Sequence, residues 1–309
     1  DADLGSSLTL FVNVEPDTNP ITPPPDLEPL LADARRRLRI IVEVTEGAVV
    51  DSPAHLLATV EWSRQQSWGV ALDDLGSDPG SLAVMPFLVP DVIKLDLSLV
   101  QQHGRSEVGR IVTSVLAQAE HTGAKVLAEG IETEEHRETA LAMGATLGQG
   151  WLFGHPAPLP PPDGRPTPHD AVTLLRPTSG PADTTPFAVV RGARPLRRGD
   201  KRLLQGIAAH LEEQAMVWKE TPVVLSSFEA GERVDTDSLA RYGELAAAGA
   251  FVAVLGPDVD GVDGVRAGRF PRDSALADEW AVLLVGAHYN GGLVARRVDG
   301  DCYDFAVTH

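Results

Sequence analysis

One cysteine, Cys302, is all the thiol chemistry the sequence offers, so an internal disulfide is excluded and the paired-cysteine framework of secreted proteins is missing. Long apolar runs are missing too. Stretches such as Trp280 to Ala287 fall far short of the roughly 20 residues that cross a bilayer, and no charged-then-apolar leader opens the chain. These absences lead to the expectation of a soluble, cytoplasmic protein with no membrane span. Basic residues are scarce: 26 Lys and Arg stand against 44 Asp and Glu, a formal charge of −18. Such a surface repels polyanions and makes duplex nucleic acid a poor partner. An anionic ligand would need a local positive device, such as bound metal ions.

What is present is ordinary globular composition, 43% hydrophobic and 23% charged, over 309 residues, a length that suggests two domains. From Leu8 to Gly154 one rhythm repeats: a short apolar run, a polar or acidic residue, then a helical stretch. The runs are Leu8 to Val14, Ile40 to Val44, Gly69 to Leu72, Val92 to Leu95, Lys125 to Ala128 and Thr146 to Leu152. Between them the pattern predicts helices over 27–38, 54–66, 81–87, 107–121 and 134–143. Repeated βα units mean a parallel sheet, and the regular alternation fits a (β/α)8 barrel with six strands visible better than a doubly wound sheet.

Residues 156–186 hold ten prolines and few apolar side chains, which predicts a linker over 157–186 between a domain at 1–156 and one at 187–309. In the second domain a helix is expected over 198–218 and another over 235–248. Strands are expected at 223–228, 251–255, 280–285, 293–298 and 303–307, giving a mixed α/β sandwich with a mostly antiparallel end.

The strand ends of the first domain carry chemistry. Asn13 closes the first run, Glu43 the second, Asp73 and Asp74 the third, Lys94 and Asp96 the fourth and Glu129 the fifth, while Gln149 lies in the sixth. In βα barrels functional groups sit at the C-terminal ends of strands. Any one acidic residue there is commonly a helix cap or a solvated loop charge, but six successive strand ends bearing such groups point to a site. Carboxylates converging on one mouth repel unless cations neutralise them, and oxygen-rich ligand sets suit Mg2+ or Mn2+. Metal-assisted attack of water on a phosphodiester fits this set, with a lysine offsetting phosphoryl charge.

The strings Phe-Val-Asn-Val-Glu-Pro (11–16), Val-Glu-Val-Thr-Glu (42–46), Leu-Asp-Asp-Leu-Gly (72–76), Lys-Leu-Asp (94–96), Ala-Glu-Gly-Ile-Glu-Thr (128–133) and Gly-Gln-Gly-Trp-Leu-Phe (148–153) resemble, in order and spacing, those of EAL domains. EAL domains are barrel enzymes that hydrolyse the bacterial messenger cyclic di-GMP to linear pGpG with Mg2+ or Mn2+. The resemblance implies that Asn13, Glu43 and Asp73 bind one metal and that Asp74 and Glu129 serve a second, with Lys94 contacting the catalytic water. It also implies that Asp96, Glu132 and Gln149 hold metal-bound water, substrate or loop geometry, and that Glu46 anchors the loop after Asp74.

Two departures stand out. The loop Leu75-Gly76-Ser77-Asp78-Pro79-Gly80 alters a segment linked in that family to metal binding and to dimerisation through the barrel. The Glu-Ala-Leu tripeptide is absent; the resemblance places it ahead of Asp1 with two further strands, and the sequence starts without an initiator methionine. The expectation is an enzyme in the intact protein and a poor phosphodiesterase in these residues alone, the rival reading being a catalytically inactive cyclic di-GMP receptor or a scaffold. Residues 187–309 more weakly resemble a DICT domain, a sensory module of unknown stimulus, through Ser226-Ser227-Phe228-Glu229, Tyr242, Trp280 and Leu293-Val294-Ala295-Arg296-Arg297. Trp280 is expected in the core.

Overall fold

The repeated βα rhythm is realised in the computed structural model, which describes residues 9–14, 25–45, 53–75, 81–101, 106–158, 172–175, 184–217, 222–231, 234–260 and 263–309. The chain divides into two compact units, residues 1–81 with 87–177, and residues 178–309 with Leu82–Pro86. From the start the order is β1 (Thr9–Asn13), α1 (Glu28–Arg37), β2 (Arg39–Thr45), α2 (Pro53–Gln65), β3 (Gly69–Leu75), α3 (Ser81–Leu88) and β4 (Val92–Leu95). There follow α4 (Leu97–Gln101), α5 (Ser106–Thr122), β5 (Lys125–Ala128), α6 (Glu134–Ala142) and β6 (Leu147–Gly148). The six strands pair in chain order and every pair is parallel. A sheet whose spatial order equals its chain order is the wall of a (β/α)8 barrel, whereas a doubly wound sheet reverses at a switch point.

Local chemistry sets the elements. In α5 the buried residues Val108, Ile111, Val115 and Gln118 recur at helical spacing and form one inward stripe. Thr133 caps α6 by accepting a hydrogen bond from the His136 amide, and Glu134 and Glu135 favour that helix start. Each strand contributes one apolar residue to the inner face: Ile41, Ala71, Val92 and Leu127 form a buried cluster, with Phe11 and Leu147 packed against it.

Val172 belongs to that same cluster and Leu174 packs on it, so residues 172–175, inside the stretch read as linker, lie against the sheet. Arg39 Nη1 donates to the Val172 carbonyl at 2.9 Å, and the Leu175 amide donates to Asp91 Oδ1. Asp91 is fully buried, and its Oδ2 accepts from Arg64 Nη1 and the Val70 amide, both at 2.6 Å. A Cβ at Gly69 would stand 2.6 Å from Leu174 Cδ2, which explains the glycine. Proline density hid this docking because the four residues Val-Thr-Leu-Leu are too short to register as an element. Asp91→Ala should strand the Arg64 charge and two backbone donors and cost about 3 to 5 kcal/mol, read as a lower midpoint in chemical denaturation.

The second unit contains α7 (Pro186–Ala193), β7 (Arg197–Asp200), α8 (Lys201–Val217), β8 (Val223–Ser227), α9 (Thr236–Ala247), β9 (Phe251–Leu255), β10 (Arg266–Gly268), β11 (Glu279–Val285), β12 (Asn290–Asp299) and β13 (Cys302–Thr308). They build one seven-stranded mixed sheet in the order β10-β9-β8-β11-β12-β13-β7. The helix expected from 198 begins at Lys201, because Arg197–Asp200 pairs with β13 and Asp200 Oδ1 accepts the Leu203 amide at 2.9 Å. Alternation along β11 divides the cores: Trp280, Val282 and Leu284 join α8 and α9 on one face, while Ala281 and Leu283 meet Phe187 and Val190 of α7 on the other. Among the described residues no helix is long and apolar enough to cross a membrane.

Candidate active site

Two residues beyond each inner apolar side chain stands a polar one: Asn13 after Phe11, Glu43 after Ile41, Asp73 after Ala71, Lys94 after Val92, Glu129 after Leu127 and Gln149 after Leu147. Strand side chains repeat with period two, so this spacing places the polar set as a second layer over the apolar one, at the C-terminal end of the sheet.

Lys94 is the hub of that layer. Its Nζ lies 2.6 Å from Asp73 Oδ1, 2.7 Å from Glu43 Oε1 and 2.8 Å from Glu129 Oε1, so three ammonium protons meet three carboxylates. Lys94, Glu43 and Asp73 are all buried. Burial alone would lower the Lys94 pKa, but the hydrogen bonds that its ammonium donates to Asp73, Glu129 and Glu43 raise it well above the ordinary lysine value. Its ion pairs are therefore intact at neutral pH. Their contribution to stability is fully present below the ordinary lysine pKa and is lost as pH climbs through the higher folded value.

Asp73 and Asp74 are adjacent, and regular strand geometry would send them to opposite faces. The β3–β4 register shifts between Leu72 and Leu75, and Asp74 adopts φ of 57°. This left-handed kink, which Asp tolerates better than most residues, returns both carboxylates to one side. Asp73, Asp74 and Glu129 each offer an oxygen within 4.8 Å of the others. Burial raises the Asp74 pKa, helped by the charges of Asp73 and Asp96 and opposed by Lys94. Burial also raises that of Glu129, opposed by hydrogen bonding and charge from Lys94.

The signs lead to a testable divergence. A carboxylate with a raised folded pKa costs stability while ionised, so acidification through that pKa should relieve the metal-free protein at these two positions. The same protonation removes two ligand groups. Mn2+ affinity should therefore fall on acidification at a higher pH than ordinary carboxylates dictate, which calorimetry across pH 4 to 7 would read. Asp74→Asn keeps a residue that tolerates φ of 57° while removing the charge. It should melt within a degree or two of the parent and bind Mn2+ more weakly.

The remaining candidates are placed less centrally. Asn13 is exposed and sits in register with Glu43. Asp96 is half-buried and caps α4, its Oδ1 accepting the Ser98 amide at 2.7 Å. Glu132 and Gln149 are exposed; the Gln149 backbone carbonyl accepts the Ile131 amide at 3.0 Å. Glu46 lies outside the described residues. The ion-paired centring of the carboxylates on Lys94 was not expected from sequence, where metal ions alone were assigned that neutralising role. The buried Asp91–Arg64 pair was missed altogether, since neither residue belongs to a recognisable string.

Residues 6–156 match the family model described as EAL domain. The cyclic di-GMP phosphodiesterase RocR of Pseudomonas aeruginosa is 31% identical over 120 residues, 38% of this chain and 31% of that protein. The cyclic di-GMP phosphodiesterase PdeL of Escherichia coli is 28% identical over 123 residues, 40% of this chain and 34% of that protein. The chain thus spans about a third of the length of these curated relatives. A solved structure of Klebsiella pneumoniae BlrP1, a manganese/cy-diGMP complex, aligns at 30% identity with a TM-score of 0.42, over 48% of this chain and 39% of that one.

Proposed function

We propose that the EAL unit hydrolyses cyclic di-GMP to linear pGpG with Mg2+ or Mn2+, and that the second unit, read as a DICT-like sensory domain, regulates it. The observation that carries this reading is the convergence of Glu43, Asp73 and Glu129 on Lys94, with Asp74 turned toward the same point. Relatives named cyclic di-GMP phosphodiesterases support the choice of substrate.

The donor set fits a divalent cation, because Asp73, Asp74 and Glu129 present three clustered carboxylate oxygens, the hard ligands that Mg2+ and Mn2+ prefer. Glu43 and Asn13 stand on the adjoining strand ends as further oxygen ligands. When bound, such ions supply Lewis acidity toward a phosphoryl oxygen and acidify water. The chain's own groups do the rest. Lys94 fixes the carboxylates and offsets negative charge developing on the phosphoryl group. Glu129, its pKa raised by burial, is suited to take the proton of the attacking water. Asp96, Glu132 and Gln149 are assigned to holding metal-bound water, the dinucleotide or the loop geometry.

Incubation of the intact protein, rather than of these 309 residues alone, with cyclic di-GMP and Mn2+, followed by chromatographic separation of the nucleotides, should yield pGpG, and a chelator should abolish it. Calorimetry should also show that cyclic di-GMP binds only weakly without divalent cations, because its phosphates would face unscreened carboxylates. Equal affinity with and without Mg2+ would mean that basic groups elsewhere hold the ligand.

A further inference from the structure

The second unit contains a cavity of about 410 Å³ between α8, α9 and the sheet, a size suited to small-molecule ligands. Its walls include two buried carboxylates built to the same plan. Glu212, 1% exposed, accepts the Tyr242 hydroxyl on Oε1 and Arg241 Nε on Oε2, both at 2.6 Å. Glu229, 4% exposed, accepts the Tyr303 hydroxyl at 2.7 Å and Arg297 Nε at 2.6 Å. The support extends outward: Ser226 Oγ lies 2.8 Å from the Tyr242 hydroxyl, and Arg241 Nη2 donates to Ser238 Oγ at 3.0 Å. Both carboxylates are thus held in fixed orientations, and each oxygen retains a second lone pair. Apolar residues of similar volume often stabilise a fold as well as buried ion pairs do, so two such pairs at one cavity favour recognition over stability as their role.

The same cavity is lined by Phe228, Tyr242 and Trp280. Trp280 is 8% exposed, and its Nε1–H has no hydrogen-bond acceptor among the described residues. This indole was expected in the core, and it is both a core member and a cavity wall. Four carboxylates, Glu212, Glu229, Asp235 and Asp237, line the space against two lining cations, Lys201 and Arg241, and against Arg297, which pairs with Glu229. That balance disfavours nucleotides and other anions. A wholly apolar ligand would dry the carboxylates without giving them donors, at a cost. A cation with a planar body satisfies the walls, since indole offers the strongest aromatic face to positive charge and fixed carboxylates accept charge-assisted hydrogen bonds.

We propose that this cavity binds a small aromatic amine in its ammonium form, with the ammonium group toward the carboxylates and the ring among Phe228, Tyr242 and Trp280. This inference does not rest on the barrel chemistry. The test titrates the full chain by calorimetry with three phenols of similar shape: tyramine, neutral 4-ethylphenol and anionic 3-(4-hydroxyphenyl)propionate. Tyramine should bind saturably at one site, more than about 10-fold tighter than 4-ethylphenol, as expected for a charge-assisted contact. The propionate should not bind measurably. Asp237→Asn, at an exposed position of the wall, and Trp280→Phe, which keeps a ring but removes the indole, should each weaken tyramine by about threefold or more. Thermal melts would establish that the variants are folded, and Asp237→Asn decides the matter should Trp280→Phe not fold. The proposal is overturned by tyramine that fails to saturate, by equal binding of tyramine and 4-ethylphenol, or by full-strength tyramine binding to the folded variants.

Discussion

Lys94→Ala should lower cyclic di-GMP turnover by about 10² to 10³-fold, the usual cost of removing one preorganised electrostatic contributor. The structure adds a second effect. Without the ammonium, Glu43, Asp73 and Glu129 face one another at a buried point with nothing to neutralise them. Breaking a buried ionic cluster by deleting one partner costs about 3 to 5 kcal/mol, so the metal-free variant should melt well below the parent. Mn2+ should return part of that stability, because it supplies charge to the same carboxylates and stabilises by binding the folded state. It should not return turnover. Thermal melts with Mn2+ or chelator, beside steady-state rates, separate the two effects.

Glu43→Ala should show the opposite division. Removing this carboxylate takes away an oxygen ligand and one of three partners of Lys94, so apparent Mn2+ affinity should fall by tenfold or more. Turnover at low metal should collapse by about 10²-fold, then recover in part as Mn2+ is raised. Lys94→Ala, with its carboxylates intact, should gain no turnover from excess metal. Rates across a Mn2+ titration of both variants make the comparison. Identical metal dependence would mean that the two residues act only as a structural pair.

The outline of the barrel wall was legible because period-two apolar runs and helical spacing are local properties. All six strands of the first sheet overlap the runs read from sequence, with β2 and β3 running on to Thr45 and Leu75. The site was legible for the same reason: a polar residue two positions beyond an inward apolar one must share its face. Tertiary facts stayed hidden. Nothing local says that Asp74 takes a left-handed conformation and brings its carboxylate to that of Asp73, nor that Lys94 satisfies three acids at once. Val172 to Leu175 reads as a few apolar residues among prolines, and only the fully buried Asp91 and the Gly69 gap reveal where it docks. In the second unit α7 and β10 are short, and β7 is polar throughout, so neither pattern nor length marked them.

The central claim is that the carboxylates gathered about Lys94 form a metal-dependent phosphodiesterase site rather than a charged but inert barrel mouth. Its most direct test is a single incubation series of the intact protein with cyclic di-GMP and Mg2+, Mn2+ or chelator, with cyclic di-GMP and pGpG quantified over time and binding measured in parallel. The account predicts pGpG in proportion to cyclic di-GMP consumed with Mg2+ or Mn2+, and none with chelator. Saturable cyclic di-GMP binding with Mn2+ bound, yet no pGpG under either ion, would contradict it and make the unit a receptor.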